Sequence, residues 1–173
     1  MIWFTADTHF NHANIIRFST RPFDNVLEMN ETLIDNWNRL VKPIDSVYHL
    51  GDFGFGEIGH IIKRLNGKKY LTWGSHDKSI IPYKNLFVEI RQILEVENII
   101  LCHYSMRVWA RSHYGSWHLY GHSHGKLESW GKSFDVGVDC WNFKPLSLEQ
   151  VKKEMNKRQD NFNLIHNLAG EKK

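Results

Sequence analysis

Val47-Tyr48-His49-Leu50-Gly51-Asp52 is the stretch that decides the fold. Its first four residues form a short, largely apolar run of the kind expected for a buried strand. Gly51 lets the backbone turn sharply or approach a ligand closely, so Asp52 is expected at the tip of that strand. A single aspartate in this position could serve only as a cap or a turn residue. The functional interpretation depends on whether other strands end in the same way.

Four further apolar runs of the chain end in aspartate or histidine. They are Ile2–Thr5 before Asp7 and His9, Tyr70–Trp73 before Gly74-Ser75-His76-Asp77, Ile99–Cys102 before His103, and Trp117–Tyr120 before Gly121-His122-Ser123-His124. Aspartate and histidine without cysteine suit divalent ions such as manganese, iron or zinc. We therefore interpret Asp52 as a carboxylate shared by two metal ions, with the other residues arranged around it.

Length and composition favour one globular domain. The 173 residues, 42% hydrophobic and 24% charged, are enough for a full core. No run approaches the ~20 apolar residues of a membrane span and no secretion signal opens the chain, so a cytoplasmic location is the default expectation. The net charge of +3 gives weak support for a nucleic-acid partner. Cys102 and Cys140 are expected to be small buried apolar residues.

The spacing of apolar residues predicts an α/β chain. One helix is predicted after Asn25 up to about Val41, where Pro43 follows, and a second over 58–65, which Asn66-Gly67 ends. With the strands before and between them, this order favours a layered α/β architecture with functional loops at the carboxyl ends of strands. Strand-like runs follow over 87–95, 98–103, 117–120, 126–130 and 133–139. Ser147 opens a late helix, residues 11–21 are predicted as a loop, and the tail from about 159 is left unassigned.

Five short motifs resemble, in order, those of the calcineurin-like metallophosphoesterases. They are Asp7-Thr8-His9, Gly51-Asp52, Gly74-Ser75-His76-Asp77, His103 and Gly121-His122-Ser123-His124. The chain is most similar to a compact bacterial or phage branch without cap domains, and Thr20–Phe23 and Asp135–Pro145 contribute to that similarity. The resemblance implies a four-layer αββα sandwich, with two mixed β-sheets flanked by helices and a metal site at the strand carboxyl ends. Residues 1–173 would form this single domain.

The resemblance also implies a role for each motif residue. The first metal ion would be held by Asp7, His9 and His124, the second by His103 and His122, and Asp52 would bridge the two. An asparagine amide completes the second site in that family, whereas this chain has Ser75, whose shorter hydroxyl is expected to leave the second ion more loosely bound. His76 would contact phosphate and protonate the leaving group, and Asp77 would orient it.

The implied activity is hydrolysis of a phosphoric mono- or diester by attack of a metal-bound hydroxide at a dinuclear centre. Two divalent ions would be the cofactors, with manganese expected first and iron, zinc or nickel as other candidates. The substrate would be a small phosphorylated molecule, with nucleotides among the candidates. His12, Arg17 and Arg107 are predicted to bind its phosphate, because a guanidinium fork or an imidazole matches phosphate oxygens.

Two further functions are compatible with the same residues. The chain could be a catalytically weakened metal-binding scaffold, for which Ser75 is the only sequence support, or a nuclease acting on nucleic-acid ends. The motif aspartates could be caps and the histidines buried hydrogen-bonding residues. His12 and Arg17 could equally belong to an ordinary solvated loop, and Arg107 could form a surface salt bridge. The remaining histidines are assigned structural or surface roles: His49, His60, His113, His118 and His166. The oligomeric state is not predicted.

Overall fold

The computed structural model describes residues 1–165. Within them it contains nine strands: β1 (Ile2–Thr5), β2 (Ser46–His49), β3 (Lys68–Thr72), β4 (Glu89–Arg91), β5 (Ile93–Val96), β6 (Ile99–Cys102), β7 (Trp117–Tyr120), β8 (Ser133–Asp135) and β9 (Leu146–Ser147). The α-helices are α1 (Ala13–Phe18), α2 (Val26–Leu40), α3 (Gly59–Arg64) and α4 (Leu148–Asn156). His166 lies outside the described residues.

The strands form two mixed sheets, which confirms the predicted fold class. The first sheet has the order β4-β3-β2-β1-β9, with β1 to β4 parallel and β9 antiparallel to β1. The second has the order β5-β6-β7-β8, with β6 to β8 parallel and β5 antiparallel to β6. Parallel neighbours end at the same edge of a sheet, so the loops after β1 to β3 lie side by side, as do those after β6 and β7.

Two apolar layers hold these elements together. One lies between the first sheet and the helices α2 and α3, where Met29, Leu33 and Trp37 form the buried face of α2. The other includes Phe4 from the first sheet and Phe134 from the second, so it joins the two sheets. Burying such a side chain stabilises the fold by roughly 1.5–3 kcal/mol. The helix ends agree with the sequence: Asn25 caps α2, and a Ser147–Gln150 capping box opens α4.

Several predicted elements differ from the structure. The run 87–95 is divided between β4 in the first sheet and β5 in the second, because the chain crosses between the sheets near Gln92. Residues 126–130 are not a strand; they are exposed and pair with no other strand among residues 1–165. The run 133–139 is a strand only to Asp135, after which Val138–Cys140 form a 3-10 turn.

The predicted loop 11–21 contains the short helix α1, which ends at Phe18, before Pro22. The expectation for the cysteines is also wrong, since Cys102 is half-buried and Cys140 is exposed. No helix within residues 1–165 is long and apolar enough to cross a lipid bilayer. The assignment of the whole chain to a single domain stays a prediction.

Candidate metal centre

The strand ends of both sheets meet at one place. The backbone N–H of Asp7, after β1, donates to the carbonyl of Gly51, after β2, at 3.0 Å. Across the sheets, the N–H of His122 donates to Oδ2 of Asp7 at 2.8 Å, and Nδ1 of His103 donates to the carbonyl of Leu50 at 2.8 Å. Loops from the two sheets are therefore joined by hydrogen bonds that involve the predicted site residues themselves.

Six predicted ligand residues form two groups that could each hold a metal ion. The first group is Asp7, His9 and His124, and the second is Asp52, His103 and His122; within each group the ligand atoms lie within 4.8 Å of one another. Oδ2 of Asp52 is 3.7 Å from Nε2 of His9 and 3.5 Å from Nε2 of His103. One carboxylate oxygen of Asp52 thus faces nitrogen atoms of both groups.

Buried atoms of these groups have no hydrogen-bond partner in the described part of the chain. They include Oδ1 of Asp7, Nε2 of His9 and Nε2 of His103. Buried polar atoms are normally paired, so unpaired buried atoms in both groups, two in the first and one in the second, fit the binding of cations. Burial, reinforced by Asp135 and Asp52, raises the pKa of Asp7 well above its usual value. Burial, with Arg21 and His124, lowers the pKa of His9 to about 2, which keeps its imidazole neutral and able to bind a metal.

The backbone at these residues is strained. Five of the six lie in the left-handed region, with φ angles of 56° at Asp7, 49° at His9, 54° at Asp52, 67° at His122 and 48° at His124. Each such conformation costs roughly 1–2 kcal/mol for a residue with a Cβ atom. His103, which directly follows β6, is the exception. Strain of this kind concentrates at functional sites, where the surrounding structure holds side chains in place.

Two glycines allow the loops to approach Asp52 and His103. A Cβ atom at Gly74 would lie 2.3 Å from the backbone nitrogen of Asp52 and 2.4 Å from its Oδ1. Gly51 has φ +86°, and a Cβ there would lie 2.7 Å from Nδ1 of His103. The glycines that open the second and third motifs are therefore required by close contact between the loops.

Asp77 does not orient the His76 side chain, contrary to the prediction. Its carboxylate accepts hydrogen bonds from the N–H groups of Asp52, Phe53 and Gly74, at 3.0, 2.7 and 2.7 Å. Oδ1 of Asp52 in turn accepts from the N–H of His76 at 2.8 Å. Asp77 is therefore a positioning residue that holds the loop carrying Asp52. The His76 side chain lines the cavity beside both groups.

Asp139 and Arg21, which were not among the predicted site residues, hold members of the first group in place by hydrogen bonds. Nδ1 of His124 donates to Oδ2 of Asp139 at 2.7 Å, and Arg21 donates to the same carboxylate at 2.8 and 2.9 Å. Burial raises the pKa of Asp139, but the hydrogen bonds from His124 and Arg21 outweigh it and leave that pKa below its usual value. Arg21 also donates to the carbonyl of Asp7 at 2.7 Å. Both residues lie in stretches that contributed to the family resemblance.

Asp135 supports the turn that carries His122 and His124. Its carboxylate accepts hydrogen bonds from the hydroxyl of Ser123 and from the N–H groups of Gly125 and Gly137. No local sequence pattern relates Asp135 to this turn, because the pairing of β7 with β8 is what brings Asp135 beside it.

Ser75 does not join the second group. Its side chain is exposed, and its hydroxyl lies 2.9 Å from the hydroxyl of Tyr104. The ring of Tyr104 lies 4.8 Å from that of His103 and 5.0 Å from that of His122. The predicted metal ligand is therefore paired with a phenol that contacts both histidines of the second group.

A cavity of about 460 Å³ opens over the two groups. It is lined by His9, His12, Ile15, Phe18, Ser19, Asp52, Phe55, His76, His122, His124 and Lys126. Of the three residues predicted to bind phosphate, His12 lines it, and Arg17 and Arg107 do not. The guanidinium of Arg107 lies over the rings of Trp130 and Phe162, at 4.2 and 4.8 Å. That of Arg17 lies 5.4 Å from the ring of Phe18.

Comparisons with known proteins give relatives without an assigned activity. No protein-family model matches the chain. The uncharacterized protein MJ1445 of Methanocaldococcus jannaschii is 35% identical over 170 residues, which cover 90% of this chain and 92% of that protein. The gene 66 protein of Mycobacterium phage L5 is 33% identical over 81 residues, 43% of this chain and 39% of that protein. A crystal structure of the Aquifex aeolicus protein of unknown function AQ665 superposes with a TM-score of 0.68 at 26% identity, covering 89% of this chain and 98% of that one.

Proposed function

The chain belongs to the same family as the uncharacterized protein MJ1445 of Methanocaldococcus jannaschii, and we propose from its site that it is a metal-dependent phosphoesterase of the calcineurin-like type. One observation carries the proposal: a single oxygen of Asp52 faces ligand nitrogens of both groups, 3.7 Å from His9 and 3.5 Å from His103. A carboxylate shared by two adjacent ions is what a two-metal phosphoryl-transfer site needs.

The residues of both groups fit two divalent ions, with manganese the first candidate and iron, zinc or nickel the others. When bound, such ions lower the pKa of a coordinated water and offset charge on the phosphoryl oxygens. His76 donates a proton to the leaving oxygen from its place in the cavity. Asp139 holds His124, and Asp77 holds the loop of Asp52. We propose a small phosphorylated substrate and a cytoplasmic location.

The test is hydrolysis of p-nitrophenyl phosphate and of bis-p-nitrophenyl phosphate by manganese-loaded protein. The variant His76→Gln should lose at least about a hundredfold in kcat on phenyl phosphate, whose leaving oxygen needs a proton, lose much less on the p-nitrophenyl esters, whose leaving group departs as a stable anion, and keep its manganese. His60→Gln, an exposed histidine on α3, is the matched control and should keep full activity. Failure of the metal-loaded protein to turn over either ester would refute the proposal.

The contact between Ser75 and Tyr104 favours a second candidate, a metal-binding scaffold with little or no activity. The second group has three protein ligands in the described chain, and the hydroxyl expected to be a fourth is paired with a phenol. The variant Ser75→Asn should raise manganese content and rate if the chain is an enzyme with a loosened second site. A Ser75→Asn protein that binds two ions and still turns over neither ester would favour the scaffold.

A further inference from the structure

The cavity over the two groups has two chemically different sides. Its floor consists of Asp52, His9, His122 and His124, and its wall of apolar and aromatic side chains. The wall residues are His12, Ile15, Phe18 and Phe55. Ile15 and Phe18 belong to α1, the short helix that directly follows the first motif. This helix therefore builds the wall on the same stretch of chain that supplies Asp7 and His9.

The rings of the wall are in contact with one another and with the candidate site. The ring of His12 lies 4.3 Å from that of Phe55, and Phe18 meets His12 edge-on at 6.3 Å. Phe55 lies 5.4 Å from the ring of His76 and 6.1 Å from that of His9. Phe18 is 56% exposed, at the rim. A substituent on a phosphoryl group that lies over the two groups would be within reach of this wall.

Charge on the cavity lining is sparse apart from the two groups. Lys126 is the one lysine or arginine side chain among the lining residues that the structure describes. Arg17 and Arg107, the two candidates for a guanidinium clamp, are not part of that lining: Arg107 lies over Trp130 and Phe162, and the Arg17 guanidinium lies 5.4 Å from the ring of Phe18. Doubly charged phosphomonoesters and polyphosphates are commonly held by arginine forks or several cationic groups. A phosphodiester, with one negative charge, needs fewer such partners.

We propose that the substrate of this site is a phosphodiester that carries a planar aromatic substituent, which lies on Phe18 and His12 while the phosphoryl group lies over the two metal groups. Nucleobases are the common planar aromatic groups of natural phosphodiesters, so nucleotide diesters are the class in question. Stacking on aromatic side chains accepts any base, because each base has a π-face. This inference rests on the proposed function.

The reaction is a hydrolysis that balances without a further reactant. One bond forms between the oxygen of water and phosphorus, and one bond breaks between phosphorus and an ester oxygen. The leaving oxygen takes up a proton from His76, and the proton released by water restores that histidine. The products are a phosphomonoester and an alcohol.

The test compares two esters that share charge and leaving group. Bis-p-nitrophenyl phosphate and methyl p-nitrophenyl phosphate differ only in the group that stays on phosphorus, an aryl ring or a methyl. The ratio of their kcat/KM values should fall roughly tenfold in Phe18→Ala, because a lost stacking contact has an effect of that order. Phe18→Leu, which keeps an apolar side chain, should lose part of the ratio. Tyr114→Ala, which removes an exposed aromatic residue outside the cavity lining, should leave it unchanged.

Binding of unreactive diesters separates this inference from the proposed function. Isothermal titration of the manganese-loaded protein should show tighter binding of diphenyl phosphate than of dimethyl phosphate, and Phe18→Ala should remove most of the difference. If no ester is turned over, the proposed function fails. The titration then shows by itself whether the aromatic wall binds an aryl substituent. Equal binding of the two diesters, an unchanged kcat/KM ratio in Phe18→Ala, or faster turnover of p-nitrophenyl phosphate than of its bis ester would overturn the inference.

Discussion

The imidazole of His124 shows how one buried ion pair can prepare a candidate metal ligand. Asp139 accepts the Nδ1–H of His124 at 2.7 Å, so Nε2 keeps its lone pair for an ion. Arg21 holds Asp139 and also donates to the backbone carbonyl of Asp7. Because Asp7 and His124 belong to the same candidate group, a single guanidinium sets the positions of both loops. Arg21 is buried, so solvent does not compete with these hydrogen bonds.

The variant Asp139→Asn should weaken manganese binding at the first group by roughly 10- to 100-fold, the usual effect of replacing a residue that orients a metal ligand. The asparagine amide can donate to Nδ1, which moves the imidazole proton to Nε2 and removes the lone pair. Manganese titration of the metal-free protein measures the change. Asp45→Asn, a buried aspartate that binds the Met1 amine and the Trp3 indole, is the matched control. Unaltered affinity in Asp139→Asn would show that Asp139 does not select the tautomer.

His118 gives a pH dependence that is independent of the metal groups. Its Nδ1–H donates to the carbonyl of Ile100 and its Nε2 accepts from the N–H of Met106, so the neutral imidazole is fully paired. Burial lowers its pKa to about 4. Above pH ~6.5 the imidazole is neutral in both folded and unfolded chains. Between that pH and 4 only the unfolded chain binds the proton, so acid favours unfolding.

We expect His118 to remove roughly 3 kcal/mol from the free energy of unfolding as the pH falls from about 6.5 to 4, at ~1.4 kcal/mol per pKa unit. Urea unfolding at several pH values measures it. His118→Gln, which does not titrate, should flatten the profile in this range even if it lowers stability at every pH. A variant profile parallel to that of the natural chain would contradict the assignment.

Among the secondary-structure elements, β3 and the strands that carry the candidate ligands were predictable. Five strands are short apolar runs followed by aspartate, glycine or histidine: β1, β2, β3, β6 and β7. The carboxyl ends of neighbouring parallel strands lie at the same edge of a sheet in any arrangement of the other elements. The division of 87–95 between two sheets was not predictable, because β4 and β5 have the same strand pattern and only tertiary contacts assign them to different sheets. The short helix α1 has no side-chain cap and two buried or half-buried isoleucines, which leave a weak periodic signal.

The loops were predictable only in part. The strained backbone of Asp7, His9 and Asp52 leaves no mark in the sequence, since residues with a Cβ atom rarely adopt positive φ. The Arg21–Asp139 pair joins residues 118 positions apart, and no local pattern relates them. Arg107 was misplaced because a guanidinium near a motif histidine suits phosphate binding and stacking on aromatic rings equally well.

The loop after β3 offers a direct test of the close approach to Asp52. Gly74→Ala places a Cβ atom 2.3 Å from the backbone nitrogen of Asp52, so one loop must move. We expect manganese affinity to fall at both groups, because Asp52 faces both. Metal titration and thermal unfolding measure the two effects.

Gly56→Ala, in the loop after β2, is the control for Gly74→Ala. A Cβ atom added at Gly56 would meet no atom within 4 Å. Because φ is +63° there, the alanine carries only the strain of a left-handed residue, about 1–2 kcal/mol. It should lower stability modestly and leave manganese binding intact. If Gly74→Ala behaves like Gly56→Ala, the packing of the two loops does not position Asp52.

For the whole molecule, the candidate metal centre lies where the two sheets meet. The first sheet supplies Asp7, His9 and Asp52 through the loops after β1 and β2, and the second supplies His103, His122 and His124 after β6 and β7. Each group draws ligands from both sheets. Ion binding would therefore hold the two sheets together as well as supply chemistry, and the folded chain would gain stability with metal concentration.

The number of manganese ions that the metal-depleted chain binds tests the shared-carboxylate centre most directly. Titration followed by elemental analysis should give two ions per chain, one ion in His122→Ala, and a large loss of both in Asp52→Asn, because that carboxylate faces the two groups. A chain that binds no manganese or zinc, or an Asp52→Asn variant that still binds two ions as tightly as the natural protein, would contradict it.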